Sequence, residues 1–169
     1  MAFTNSNDVI TGRAPVIFPA GAEIVAMRFT LAMAVGDLAL NSIGQIGILP
    51  AGCVPVEVRV DGSDLDTGAG AGVYQVGLGN RALQNAAGAT SADAKNTLIS
   101  TVAGDGGGDW GNTGAAVATA FDKQLTRTLN NMANVVKSDS DRDIVLKVTT
   151  APTTPAAGTI GVTVFYKAA

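Results

Sequence analysis

Between Ile24 and Val35 the apolar side chains of Val25, Met27, Phe29, Leu31, Met33 and Val35 fall on one parity, with Arg28 and Thr30 on the other. A period of two marks a half-buried strand. Gly36-Asp37 then turns the chain, Gly44 to Leu49 offers a second short strand, and Pro50-Ala51-Gly52 punctuates it. In the next run Val54, Val56, Val58 and Val60 alternate with Pro55, Glu57 and Arg59. Pro55 has no N–H to give a ladder, so it predicts an edge position. Val73 to Leu78 resumes the alternation after a loop. Ile144, Leu146 and Val148, then Ile160, Val162, Val164 and Tyr166, make two more strands, which the intervening APTTPAAG predicts to pair antiparallel with each other.

The stretch from Asn80 to Asp143 is rich in Ala, Gly, Asn, Ser and Thr and reads as excursions beyond the sheet. Within it Phe121, Leu125, Leu129, Met132 and Val136 recur at the spacing of a short amphipathic helix. Short strands with turn signals, interrupted by longer loops, predict a mainly β chain: an antiparallel β-sandwich of jelly-roll type. The expected organisation is one domain over residues 1–169. It has an N-terminal arm at 1–22, core strands at 23–79 and 143–167, and a loop-rich, short-helix excursion at 80–142. In the arm, Pro15 and Pro19 bracket Val16, Ile17 and Phe18, which either need something to lie against or form a first strand of the sandwich.

Composition adds a reason to look for a partner. Hydrophobic residues make up 47% of the chain and charged residues 15%, where a soluble domain ordinarily carries about 25% charged. Part of the surface is therefore expected to be covered. The net charge is -3 and the 11 Lys and Arg are scattered, so no basic stripe exists to track a phosphate backbone and direct nucleic-acid binding is not expected. The first residues lack a basic stretch followed by an apolar core, so no secretory signal is expected. IVAMRFTLAMAV is too short for a membrane span and is interrupted by Arg28.

Chemistry is sparse. The chain has no histidine, which removes His-based triads and imidazole ligands. Cys53 is its one cysteine and reads as a small buried apolar residue, with no intrachain disulfide possible. Asp61, Asp64 and Asp66 are the densest acidic group, but no register places a Gly sixth and a Glu twelfth as a calcium loop of the EF-hand type requires. A looser calcium site stays open against the reading of Asp and Gly as turn residues, here and at Asp139, Asp141 and Asp143. GAGAG at 68–72 runs into a strand instead of opening a helix, so it is no phosphate cradle. Trp110, set in GDGGGDWGNTG, is either a binding anchor or a plug for the sheet edge.

A strand leading into DLDTG, then VYQVGLGN, and later DRDIVLKVTTAPTTPAAGTIGVTVFYKAA form a pattern that resembles the head decoration, or cement, proteins of tailed bacteriophages. The resemblance covers Ile24 to Asn80 and Arg142 to Ala169 and contains no catalytic signature. It implies a jelly-roll, non-enzymatic virion protein, made in the host cytoplasm, that sits on the outside of the capsid, bridges major capsid protein subunits and stiffens the shell. It also implies a homo-oligomer, a dimer or trimer, without cofactor. No fixed functional residues carry over. The candidate contact residues are therefore Val16, Ile17, Phe18 and Trp110, with edge pairing through the arm as the expected means. The rival reading is a receptor- or glycan-binding module of a tail tip, against which the low aromatic content, 5%, argues. An enzyme working through paired Asp side chains ranks below both.

Overall fold

The computed structural model describes residues 3–68, 70, 72–79, 109–114, 119–125, 135 and 137–169. Their strands are β1 (Ile24–Met33), β2 (Ile43–Leu49), β3 (Cys53–Gly62), β4 (Val73–Leu78), β5 (Asp109–Asn112), β6 (Phe121–Gln124), β7 (Arg142–Thr150) and β8 (Gly158–Ala168), with one 3-10 turn at Val35–Leu38. Two four-stranded sheets result, sheet A in the order β1-β8-β3-β6 and sheet B in the order β2-β7-β4-β5. All the pairings are antiparallel. Strand 1 pairs with 8, 2 with 7, 3 with 6 and 4 with 5, which is one long hairpin rolled up so that successive pairs fall in alternate sheets. That is the jelly roll the alternation predicted.

The parity of β1 is as its sequence dictates, with Phe29, Leu31 and Met33 buried and Arg28, Thr30 and Ala32 exposed. The two inner faces meet in a core that includes Leu38, Ile46, Val58, Val60, Val76, Leu146 and Val162. Burying each such side chain contributes about 1.5–3 kcal/mol relative to leaving it in water. Tyr74 of sheet B stacks on Phe121 of sheet A, with ring centroids 5.8 Å apart and planes 6° from parallel, tying the sheets across the core.

Several expectations are corrected. The last two strands do not pair with each other: β7 lies between β2 and β4, and β8 between β1 and β3. Residues 151–157 cross from one sheet to the other instead of closing a hairpin. In β3 the register shifts between Pro55 and Glu57, so the alternation breaks there. Cys53 and Pro55 are buried, Val54 is half-buried and Val56 is exposed, while Val58 and Val60 point inward as expected. Among the described residues, β6 pairs with β3 at Arg59–Gly62, beyond Pro55. Within 80–142, two short strands complete both sheets. Phe121–Gln124 is strand, not the start of a helix. Leu125 follows it, and Leu129, Met132 and Val136 lie outside the described residues.

The connection from β3 to β4 and residues 151–157 both cross between the sheets at one end of the sandwich, and they are stitched together by one carboxylate. Asp66 is fully buried. Its Oδ1 accepts from the N–H of Gly68 at 3.0 Å and of Thr154 at 2.8 Å, and its Oδ2 from Thr153 N–H at 2.8 Å. Backbone bonds from Thr67 N–H to Thr154 O and from Ala156 N–H to Leu65 O complete the stitch. The DLDTG loop is thus a structural connection whose acid satisfies buried backbone donors.

Candidate functional site

The N-terminal segment is held by polar side chains that sequence reading overlooked. Asp37, in the 3-10 turn, is fully buried. Its Oδ1 accepts from Thr4 N–H at 2.8 Å and Thr4 Oγ1 at 2.7 Å, and its Oδ2 from Ala34 N–H at 2.9 Å. Asn5 Nδ2 donates to the carbonyl of Ala32 on β1 at 2.8 Å, and Asn7 Nδ2 to that of Ile46 on β2 at 2.7 Å. The segment therefore runs along the seam where an edge strand of each sheet lies, and gives a partner to one carbonyl of each. The ring of Phe3 rests on Gly44, in space that any side chain on β2 would take. After a turn in which Arg13 and Ala14 donate to Asp8 O, the hydroxyl of Tyr166 on β8 donates to Ile17 O. Burial pushes the Tyr166 phenol up to about 12, so it remains a donor at neutral pH.

The arm thus lies against its own chain, yet its apolar side chains do not. Ile17 is 54% and Phe18 60% exposed, and Val16 is half-buried. With the backbone pinned, these side chains are presented in a fixed place. Trp110 behaves in the opposite way. It is fully buried, on a bulge where Val76 pairs with Gly111 and Gly77 with Asp109, so that the extra residue turns into the core. It offers no face to a partner. Its indole Nε1 has no hydrogen-bond partner among the described residues. The structure therefore does not bring Trp110 together with Val16, Ile17 and Phe18 on one surface.

The outer face of sheet A is divided in two. Register sets four rows across β1, β8 and β3: Ile24, Lys167 and Val54; Ala26, Phe165 and Glu57; Arg28, Thr163 and Arg59; Thr30, Gly161 and Asp61. The last two rows carry ion pairs. Arg28 makes two hydrogen bonds to the Asp61 carboxylate by reaching over Gly161, where a Cβ would collide with both, and the contact raises the pKa of Arg28. Arg59 Nη2 meets Asp122 of β6 at 2.8 Å. The first two rows are mostly apolar, with Ile24 57% exposed and Val56, at the β3 bulge beside them, 39%. Their charges, Glu57 and Lys167, join no ion pair among the described residues.

The remaining candidate groups have local structural tasks. Asp64 Oδ1 accepts from Asp66 N–H at 3.1 Å, Asp141 Oδ1 from Ala51 N–H at 2.9 Å, and the buried Asp143 from Gln45 Nε2 at 3.0 Å. Among the described residues no three acidic or Cys side chains converge as a metal site would require. Cys53 is buried, and that burial pushes its thiol pKa up, away from a nucleophile's. No helix among the described residues is long and apolar enough to cross a membrane.

No protein-family model matches the chain, and neither does any curated protein. Solved structures do. The chain is similar to one in the capsid of Ralstonia phage GP4, with 24% identity over 97% of each chain and a TM-score of 0.69. The two chains share one fold. A chain of the cyanophage Pam1 capsid asymmetric unit is also matched, with 17% identity over 96% of each chain and a TM-score of 0.47.

Proposed function

We propose that this chain is a non-enzymatic structural protein of a phage virion, a decoration protein that binds the outside of the capsid and bridges major capsid protein subunits. The observation that carries this reading is the shared jelly roll over 97% of both chains with a protein of the GP4 capsid. The surface supports it. A low density of charge and the pinned, outward Ile17 and Phe18 suit a chain whose apolar side chains are covered on a larger particle. On this reading Val16, Ile17 and Phe18 are the contact with the shell, and repetition over a lattice gives avidity without tight single contacts. A glycan-binding module would want an exposed aromatic to stack on a sugar, and Trp110 is in the core.

The test uses purified protein and expanded empty shells lacking it. Addition should raise the temperature at which shells lose integrity, and mass spectrometry of virions should find the polypeptide at a copy number comparable with the shell subunit. Phe18→Asp should weaken shell binding while leaving the melting temperature of the isolated chain within about 2 °C, because the side chain is already in water. Unchanged shell stability, or a handful of copies per virion, would remove the decoration role.

A further inference from the structure

We infer that the outward edge of β1 at Arg28 and Thr30 is a strand-addition site, taken by an extended segment of a shell subunit. Backbone geometry fixes which groups this edge offers. The carbonyl of Ala32 accepts from Asn5 Nδ2 and so faces away from β8. Its register partner Thr159 faces the other way, donating its N–H to Ser63 Oγ and accepting from Ser63 N–H just past the end of β3. In an antiparallel pair alternate residues turn both backbone groups to the same side. The register of β1 on β8 is unbroken from Ile24 to Met33. Arg28 and Thr30 therefore share the direction of Ala32, whereas Phe29 and Leu31 turn their groups to β8. Among the described residues no hydrogen bond reaches the backbone N–H or C=O of Arg28 or Thr30.

The segment beside this edge, residues 3–18, is described throughout, and it flanks the edge without pairing to it. Asn5 caps Ala32, and the backbone then closes on itself: the carbonyl of Asn7 accepts from Thr11, that of Asp8 from Arg13 and Ala14, and that of Val9 from Gly12. Those carbonyls are spent inside the turn. A cleft of about 210 Å³ separates it from β1, lined by Asn7, Asp8, Val9, Arg28, Phe29 and Thr30. Pockets for compact ligands are larger, roughly 300–1,000 Å³. The β1 wall of this cleft instead offers a donor and an acceptor at every second residue, a rhythm that an extended chain matches. β1 also lacks the usual devices against addition, having no proline and no bulge, and its one charge is closed by Asp61. β2, the edge strand across the seam, does carry a register shift, at Gln45–Gly47. The identity of the partner rests on the virion reading, under which the shell is the polypeptide surface this chain meets. The added strand pairs with β1, and the arm is its wall.

The experiment is hydrogen–deuterium exchange on the full chain, free and bound to expanded empty shells, read at single amides by mass spectrometry. In the free chain the amides of Arg28 and Thr30 should exchange at least about tenfold faster than those of Phe29 and Leu31, and on shells they should slow at least about tenfold. Thr30→Pro removes an N–H that faces outward, which an edge strand tolerates, so circular dichroism should show the fold retained. Its dissociation constant for shells should rise at least about tenfold, whereas Thr30→Ala, which keeps the N–H, should bind as the wild type does. Amides of Arg28 and Thr30 that are already slow in the free chain, or still fast on shells, would overturn the proposal. So would a folded Thr30→Pro that binds normally, or a Thr30→Ala that binds equally weakly. If Thr30→Pro does not fold, exchange in the wild type decides. None of these results touches the virion reading, which falls together with this proposal only if the wild type fails to bind shells.

Discussion

Asp66 permits a sharp test of how this sandwich is held at one end. In Asp66→Asn the oxygen that replaces Oδ1 can still accept from Gly68 and Thr154, but an amide N–H2 then faces the N–H of Thr153, which Oδ2 accepts at 2.8 Å. One charge-assisted bond is lost and a buried donor is left without a partner, a cost of about 1.5–3 kcal/mol. At about 2–4 °C per kcal/mol for a chain of this size, the melting temperature should drop by about 3–12 °C. Asp66→Ala removes the acceptor contacts with Gly68, Thr153 and Thr154 and should cost more, about 3–5 kcal/mol. The neighbouring Asp64→Asn keeps its acceptor oxygen on an exposed residue and should stay within about 0.5 kcal/mol of wild type. Urea unfolding followed by fluorescence of the buried Trp110 and by far-ultraviolet circular dichroism measures all three. If Asp66→Asn and Asp64→Asn unfold at the same urea concentration, the stitch between the two crossings is not what stabilises that end.

Two further outcomes follow from the same geometry. Gly161→Ala would displace the guanidinium of Arg28 from Asp61. The loss of an exposed ion pair, about 0.2–1 kcal/mol, is opposed by the gain of replacing a strand glycine, so net stability should change by less than about 1 kcal/mol. The coupling between Arg28→Ala and Asp61→Ala in a double-mutant cycle should vanish in the Gly161→Ala background. Both tyrosines, Tyr74 and Tyr166, are held up to about 12 chiefly by burial. Unfolded tyrosines lose their protons near 10, so between about pH 10 and 12 the folded state binds more protons and stability falls as pH rises. Chemical denaturation at stepped alkaline pH should show that decline, and Tyr166→Phe should make it shallower; a flat profile over this range would contradict the burial.

The long alternating strands were legible because one face of each is in the core and the other is not. Residues 24–33 and 158–166 show it residue by residue. The short strands were not. Asp109–Asn112 has Asp, Trp and Gly buried in succession, on a bulge, so no alternation exists to be read. Phe121 and Leu125 are four apart, a spacing that suits a helix as well as a strand followed by a buried residue. The partner of β8 was hidden for another reason: β7 and β8 alternate equally well, and a connection of 151–157 can close a hairpin or cross a sandwich. The acceptor contacts of Asp66 with Thr153 and Thr154, 87 and 88 residues away, help to hold the crossing, and no periodicity records them. The docking of the arm was hidden for a related reason, since Thr4 finds Asp37 33 residues later through polar contacts that no periodicity records. The apolar outward residues Ile17 and Phe18 were legible; the inward turn of Trp110 was not.

The nesting of the strands also imposes an order of events on synthesis. Sheet A cannot exist as a sheet until residues 158–168 have left the ribosome, because β8 is the strand that joins β1 to β3. Up to then sheet A is a lone β1 and the β3–β6 pair, and the rows that combine Ile24 with Lys167 and Val54 do not exist. Pairings this distant in sequence close slowly. The outer face of sheet A is therefore finished only once the whole sandwich has been translated.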